Sequence, residues 1–136
     1  MEKAAFKLDT YRFVKAALDF DIPTEASLDI AIAPSGVLFL SKGKYVLTFQ
    51  VVVTCEENSA EVVNVVCEAV FSFATPVKPE DVPSFFYPNS LAIVFPYVRA
   101  FVSTITLQAN VRPVVLPTIN LTGLTEELRK KTEVKE

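Results

Sequence analysis

Apolar and polar residues alternate with a period of two through the first half of the chain, the pattern of strands that bury one face. Residues 6–15 and 18–22 open it. In the next run Leu28, Ile30 and Ile32 share one side and Asp29, Ala31 and Ala33 the other, and Pro34-Ser35-Gly36 is expected to stop this strand before residues 37–40. After a turn at 41–44 the alternation is clearest: Tyr45, Leu47, Phe49, Val51 and Val53 face a core, while Val46, Thr48, Gln50, Val52 and Thr54 form a semi-polar side. A polar loop at 56–59 leads to a partner strand, 62–73, in which Val63, Val65, Cys67, Ala69, Phe71 and Phe73 are all apolar. Connections this short make successive strands antiparallel neighbours, so the pattern predicts a meander of about four strands.

The texture then changes. Pro76, Pro79, Pro83 and Pro88 punctuate a segment that also holds Phe85, Phe86 and Tyr87. Proline at this density is incompatible with a helix interior or a central strand. Residues 91–108 read as a helix capped by Asn89 or Ser90, apolar on most sides and interrupted by Pro96 and Arg99. A helix apolar all round must be covered all round. An extended stretch broken by prolines follows at 111–120, and the tail from Thr125 reads as a short helix with i,i+4 pairs Glu126/Lys130 and Glu127/Lys131. The long helix approaches the roughly 20 residues a bilayer needs, but Arg99 would sit near mid-membrane at a cost of about 2.5–3.5 kcal/mol. Burial between subunits is the preferred expectation.

Composition narrows the possible chemistry. The chain is 136 residues long, 51% hydrophobic and 21% charged, room for one domain and too apolar for disorder. Its mean hydropathy of +0.36 predicts apolar surface left over for a partner or a ligand. With no histidine, neither a Ser-His-Asp triad, a Cys-His dyad nor a histidine zinc site is available, and no catalytic or metal-ligating residue is nominated. A net charge of −3 offers no footprint for nucleic acid. Residues 1–9 carry both signs of charge and no apolar core, so a cytoplasmic location with reduced thiols is expected, although Cys55 and Cys67 could face each other across a hairpin.

The stretch Tyr87-Pro88-Asn89-Ser90-Leu91-Ala92-Ile93-Val94-Phe95-Pro96-Tyr97-Val98-Arg99, then Val115-Leu116-Pro117-Thr118-Ile119-Asn120-Leu121 and Leu124, resembles the protein-export chaperone SecB family. Val98 stands where that family has alanine, and Leu121 where it has phenylalanine. Cys67-Glu68 followed by Phe71 is similar to the family's cysteine-glutamate step. The resemblance implies an α+β fold, a four-stranded antiparallel sheet with one long helix and a short C-terminal helix. It further implies a dimer of dimers with the helices sandwiched between, and an activity that keeps unfolded polypeptide in apolar grooves without ATP or any cofactor.

Within that frame the client-binding candidates are Phe71, Phe73, Phe85, Phe86 and Tyr87, since a proline-fixed loop can hold aromatics over a sheet edge. Each phenylalanine has a plain alternative as core filling. Phe95, Tyr97, Arg99, Val102 and Ile105 are the candidate oligomer interface; Arg99 either pairs with a carboxylate across it or extends to solvent. Docking of the SecA motor through an acidic sheet face would fall to Glu68 with Asp19 and Asp21. Ala16 and Ala17 lie where acid is expected, and a basic-rich 129–136 replaces the family's acidic extension. These departures put SecA docking in question and leave open, as the alternative, a SecB-like chaperone dedicated to one partner such as an antitoxin or a mobile-element protein. Two further alternatives are a self-assembling structural subunit without affinity for unfolded chains, and a small-molecule-binding α+β barrel, for which no converging polar groups are evident.

Overall fold

The structure, a computed structural model, describes residues 5–75, 77–118 and 120–136. Pro76, Ile119 and residues 1–4, which figured in the sequence reading, lie outside the described residues. The chain runs β1 (Phe6–Leu18), β2 (Leu28–Phe39), β3 (Lys44–Cys55), β4 (Glu61–Phe73), a single turn of 3-10 helix at Pro79–Asp81, α1 (Phe86–Gln108), α2 (Leu121–Lys130) and β5 (Thr132–Lys135).

The expected four-stranded antiparallel meander is corrected to a mixed five-stranded sheet in the order β1-β4-β3-β2-β5. β2, β3 and β4 do form antiparallel neighbours, but β1 crosses to pair with β4, and β5 adds parallel to β2. Residues 6–15 and 18–22 are not two strands. One strand follows β4 from Phe6↔Phe73 to Leu18↔Val63, absorbing the sheet's twist through bulges at Asp9 and Val14. β2 likewise runs straight through Pro34-Ser35-Gly36. β5 covers only Gly36–Phe39, so the N–H that Pro34 lacks leaves no ladder bond missing on that edge. Gly36 is required by packing, because a Cβ there would strike the Tyr45 ring and hydroxyl.

The alternation holds residue by residue in β3 and in β4 from Val65 onward; at the start of β4 Val62 and Asn64, on the opposite face, are buried as well. Tyr45, Leu47, Phe49, Val51 and Val53 of β3 and Val63, Val65, Cys67, Ala69 and Phe71 of β4 are fully buried under α1, while Val46, Thr48, Gln50, Val66, Glu68 and Val70 form a partly exposed outer face. Cys55 and Cys67 do not face one another. Cys55 is opposite Leu28 and Cys67 opposite Phe49 and Phe13.

α1 begins at Phe86, not Leu91, so Asn89 and Ser90 lie inside it. Pro88 falls in the first turn, where backbone N–H groups have no intrahelical acceptor, and this is why a proline-rich stretch can still open a helix. Pro96 is tolerated on an exposed side. The helix is long and apolar enough by composition to cross a membrane. Its covering is one-sided: Phe86, Leu91, Val94, Val98 and Val102 are buried on the sheet, whereas Ile93, Tyr97 and Leu107 stay exposed. Thr106 ties the following extended stretch to α1: its hydroxyl donates to the Val102 carbonyl (2.9 Å) and accepts from the Val114 N–H (3.0 Å). Val114 and Leu116 are thereby buried.

α2 starts four residues earlier than expected, at Leu121, because the Asn120 side chain caps it by accepting from the Thr122 and Gly123 N–H groups. Lys131 pairs with Glu127 at 2.9 Å as predicted, whereas Glu126 lies 4.0 Å from Arg129. The helix docks on β2 and α1 through Leu121, Leu124 and Leu128.

Candidate functional site

Where β1, β4 and the start of α1 converge, aromatic rings form one cluster around Phe86. Its ring lies 4.8 Å from Phe6, 4.8 Å from Tyr45, 5.3 Å from Phe73, 5.6 Å from Phe71 and 5.6 Å from Tyr87, mostly edge to face. The five nominated client-binding residues divide by depth here. Phe71 and Phe86 are fully buried and Phe73 nearly so, Tyr87 is part-buried beneath the Arg129 guanidinium at 4.9 Å, and Phe85 is 48% exposed. Phe85 leans against Phe6, centroids 6.2 Å apart. Beside them a cavity of about 470 Å³ opens between the ends of β1 and β4, lined by Phe6, Phe73, Ala5, Ala74, Lys7 and Ser72.

A second aromatic surface runs along the seam of β1 and α1. Tyr11 stacks on Tyr97 at 4.3 Å and Phe13 on Phe101 at 3.9 Å. Tyr11 and Tyr97 stay 37% and 42% exposed, and Val14 of β1 and Ile93 of α1 are in the same exposure range. The alternation of β1 carried a signal for Tyr11 and Phe13, which lie two residues apart, whereas Phe6 joins their inward face only through the bulge at Asp9, and their partners on α1 required the fold.

The nominated interface residues also divide. Tyr97 and Arg99 are exposed, Phe95 and Ile105 part-buried, and Val102 is fully buried against the sheet, so its side chain serves the core of this chain. Arg99, Phe95 and Ala92 line an open cavity of about 230 Å³ together with Pro117, Thr118 and Leu121.

On the outer sheet face Glu68 lies opposite Arg12, with 3.4 Å between guanidinium and carboxylate. Asp19 and Asp21 are exposed past the end of β1, where the Asp19 N–H donates to the Val62 carbonyl. At roughly 3.3 Å per residue, the strand between them and Glu68 measures about 20 Å, so the three acids form no compact cluster. Asp9 accepts from Ser72 (2.9 Å) and Lys44 (3.2 Å), and the Ser72 hydroxyl followed by the Lys44 ammonium holds its carboxyl below the usual value. Glu57 is likewise held down, first by the Cys55 thiol at 3.0 Å and then by the Ser27 N–H at 3.1 Å. Burial, reinforced by the Glu68 charge, pushes the Cys67 thiol up to about 11 and leaves it a protonated core group.

These features, a sheet under one long helix with a proline-opened N-terminus and exposed aromatics at its edge, define a domain that presents apolar surface. Residues 27–132 match the family described as preprotein translocase subunit SecB, and the chain belongs to that family. Among curated relatives, it is 27% identical over 122 residues to the protein-export protein SecB of Magnetococcus marinus, covering 90% of this chain and 63% of that protein. It is also 56% identical over 48 residues to an uncharacterized protein, MJ0357, of Methanocaldococcus jannaschii, covering 35% of this chain and 29% of the relative. The chain thus spans less than two thirds of either relative's length. In fold it is similar to the SecB-like chaperone Rv1957 of Mycobacterium tuberculosis, solved with a peptide from the HigA1 antitoxin. That match has a TM-score of 0.69 at 12% identity and covers 85% of this chain and 88% of the other. A protein of unknown function from Streptococcus agalactiae matches with a TM-score of 0.52 at 14% identity, over 86% of this chain and all of that one.

Proposed function

We propose that this chain is an ATP-independent holdase of the SecB type, one that keeps unfolded polypeptide soluble in the cytoplasm by covering its apolar segments, without catalysis or cofactor. The observation that carries this reading is Phe85, half-exposed on Phe6 beside an apolar cavity of about 470 Å³. Rigid aromatic rings offer large contact area at small cost in side-chain entropy, and a shallow apolar lining accepts many sequences. Phe85 and Tyr87 form the contact surface for clients in this account, and Phe73 its wall, with Phe71 and Phe86 the buried support beneath. Dilution of a denatured, slowly refolding protein into buffer with and without the chain tests it: suppression of aggregation with no nucleotide present is expected. Unchanged aggregation at a several-fold molar excess of chain overturns it.

In the same account the exposed side of α1 is covered by a second copy through Tyr97, Phe95, Arg99 and Ile105, giving a dimer of dimers. A SecA-type motor, where one is used, docks at Glu68 with Asp19 and Asp21. Because Glu68 is already paired with Arg12 and the other two acids lie far along the sheet, that contact is expected to be weak. This favours a second reading, in which the client is one dedicated peptide; the structurally similar Rv1957 was solved in complex with a peptide from an antitoxin.

A further inference from the structure

β5 seats the chain on itself. Thr132–Lys135 lies parallel to Gly36–Phe39 on the edge of β2, and the pairing is bounded by Gly36 N–H donating to the Lys131 carbonyl (3.2 Å) and Leu40 N–H to the Lys135 carbonyl (2.9 Å). The side chains of β5 add little. Only Thr132 is part-buried, its hydroxyl sharing a hydrogen bond with the Tyr45 hydroxyl (2.6 Å) and reaching the Leu128 carbonyl (2.7 Å). Glu133, Val134 and Lys135 are exposed, and Val134, the one apolar residue of the strand, is 49% accessible. This edge therefore holds a strand of almost any sequence by its backbone, which is the chemistry of strand addition.

We propose that β5 is a built-in, displaceable occupant of a strand-addition site on β2, and that an extended apolar segment of an unfolded polypeptide takes its place. The proposal rests on the holdase reading and adds a control to it. A client segment makes the same main-chain hydrogen bonds and also lays its alternate side chains beside Val37 and Phe39, part-buried on the outer face of the sheet. β5 competes through its tether: a segment joined directly to α2 acts at an effective concentration of roughly millimolar. Polar segments, which gain no more than β5 does, stay excluded, and apolar ones displace it. Pro34 sets one limit of the site, because its missing N–H ends regular pairing there, and the Tyr45–Thr132 hydroxyl pair is the latch at the start of β5.

The test uses three proteins: the unaltered chain, a chain ending at Lys131, and full-length Glu133→Pro, which puts a residue without N–H in the middle of β5 while keeping α2 whole. Each is titrated with one labelled, unfolded polypeptide, after circular dichroism has checked the fold. Amide exchange is followed in the unaltered chain. Both variants are expected to bind about 3- to 30-fold tighter, the equivalent of one or two competing hydrogen bonds removed. In the unaltered chain, client binding is expected to deprotect the β5 amides while Gly36 and Leu40 stay protected. Equal affinity in all three with β5 still protected in the complex overturns the proposal and leaves the holdase reading standing. Binding by none of the three overturns both.

Discussion

Phe85 and Phe86 are neighbours in sequence with opposite surroundings, and substituting each separately distinguishes surface from support. Phe86 touches five other rings at full burial, so Phe86→Ala is expected to cost about 3–5 kcal/mol in a denaturant melt. Phe85→Ala is expected to leave that melt within about 0.5 kcal/mol and to weaken client binding several-fold. The buried Cys67 thiol makes a further prediction. Its folded pKa is raised to about 11 from 9.0, so its contribution to stability is complete below pH 9 and is lost as pH climbs towards 11. Denaturant midpoints measured across that interval should fall more steeply for the unaltered chain than for Cys67→Ala. Asp9 has the opposite sign: its lowered pKa stabilises the fold above the ordinary carboxylate value of 3.8 and is lost as pH falls, so Asp9→Asn should flatten the acid limb.

At the scale of elements, what was legible in the sequence is what period and local chemistry determine. β3 and β4 followed from strict alternation, and the long helix from its apolar run, because burial on one side imposes those spacings directly. The pairing of β1 with β4 was not legible, since a strand's own pattern names the face it buries and not the neighbour it meets. β2 was cut short in the reading because proline and glycine signal turns locally. Here Pro34 instead meets an open edge and Gly36 makes room for Tyr45, both facts of tertiary structure. β5 was missed because Thr-Glu-Val-Lys carries no apolar alternation: it pairs by backbone alone. For the site, the ring at Phe85 was visible in the proline-rich segment, while the Tyr11–Tyr97 stack joins residues that only the fold brings together. The latch on β5 is testable at this scale. Gly36→Ala would displace the Tyr45 hydroxyl from Thr132, and the β5 amides are expected to exchange faster than in the unaltered chain, with α2 protection retained.

At the scale of the whole molecule, the exposed aromatics and the bare side of α1 are apolar surface that is costly to leave in water, and in the proposed reading they serve clients or other copies of the chain. In the proposed reading Tyr97 and its helix face serve self-association, and Phe85 with its cavity serves clients. Tyr97→Glu is therefore expected to lower the mass seen by sedimentation while the circular dichroism spectrum is kept; an unchanged mass would move that face to the client side. The central claim is more direct still, that this chain distinguishes unfolded from folded polypeptide. The measurement is a fluorescence titration against one labelled protein presented in its slow-folding unfolded form and in its native form. Micromolar or tighter binding of the unfolded form alone is the predicted result; no binding of either form at tens of micromolar would contradict the account.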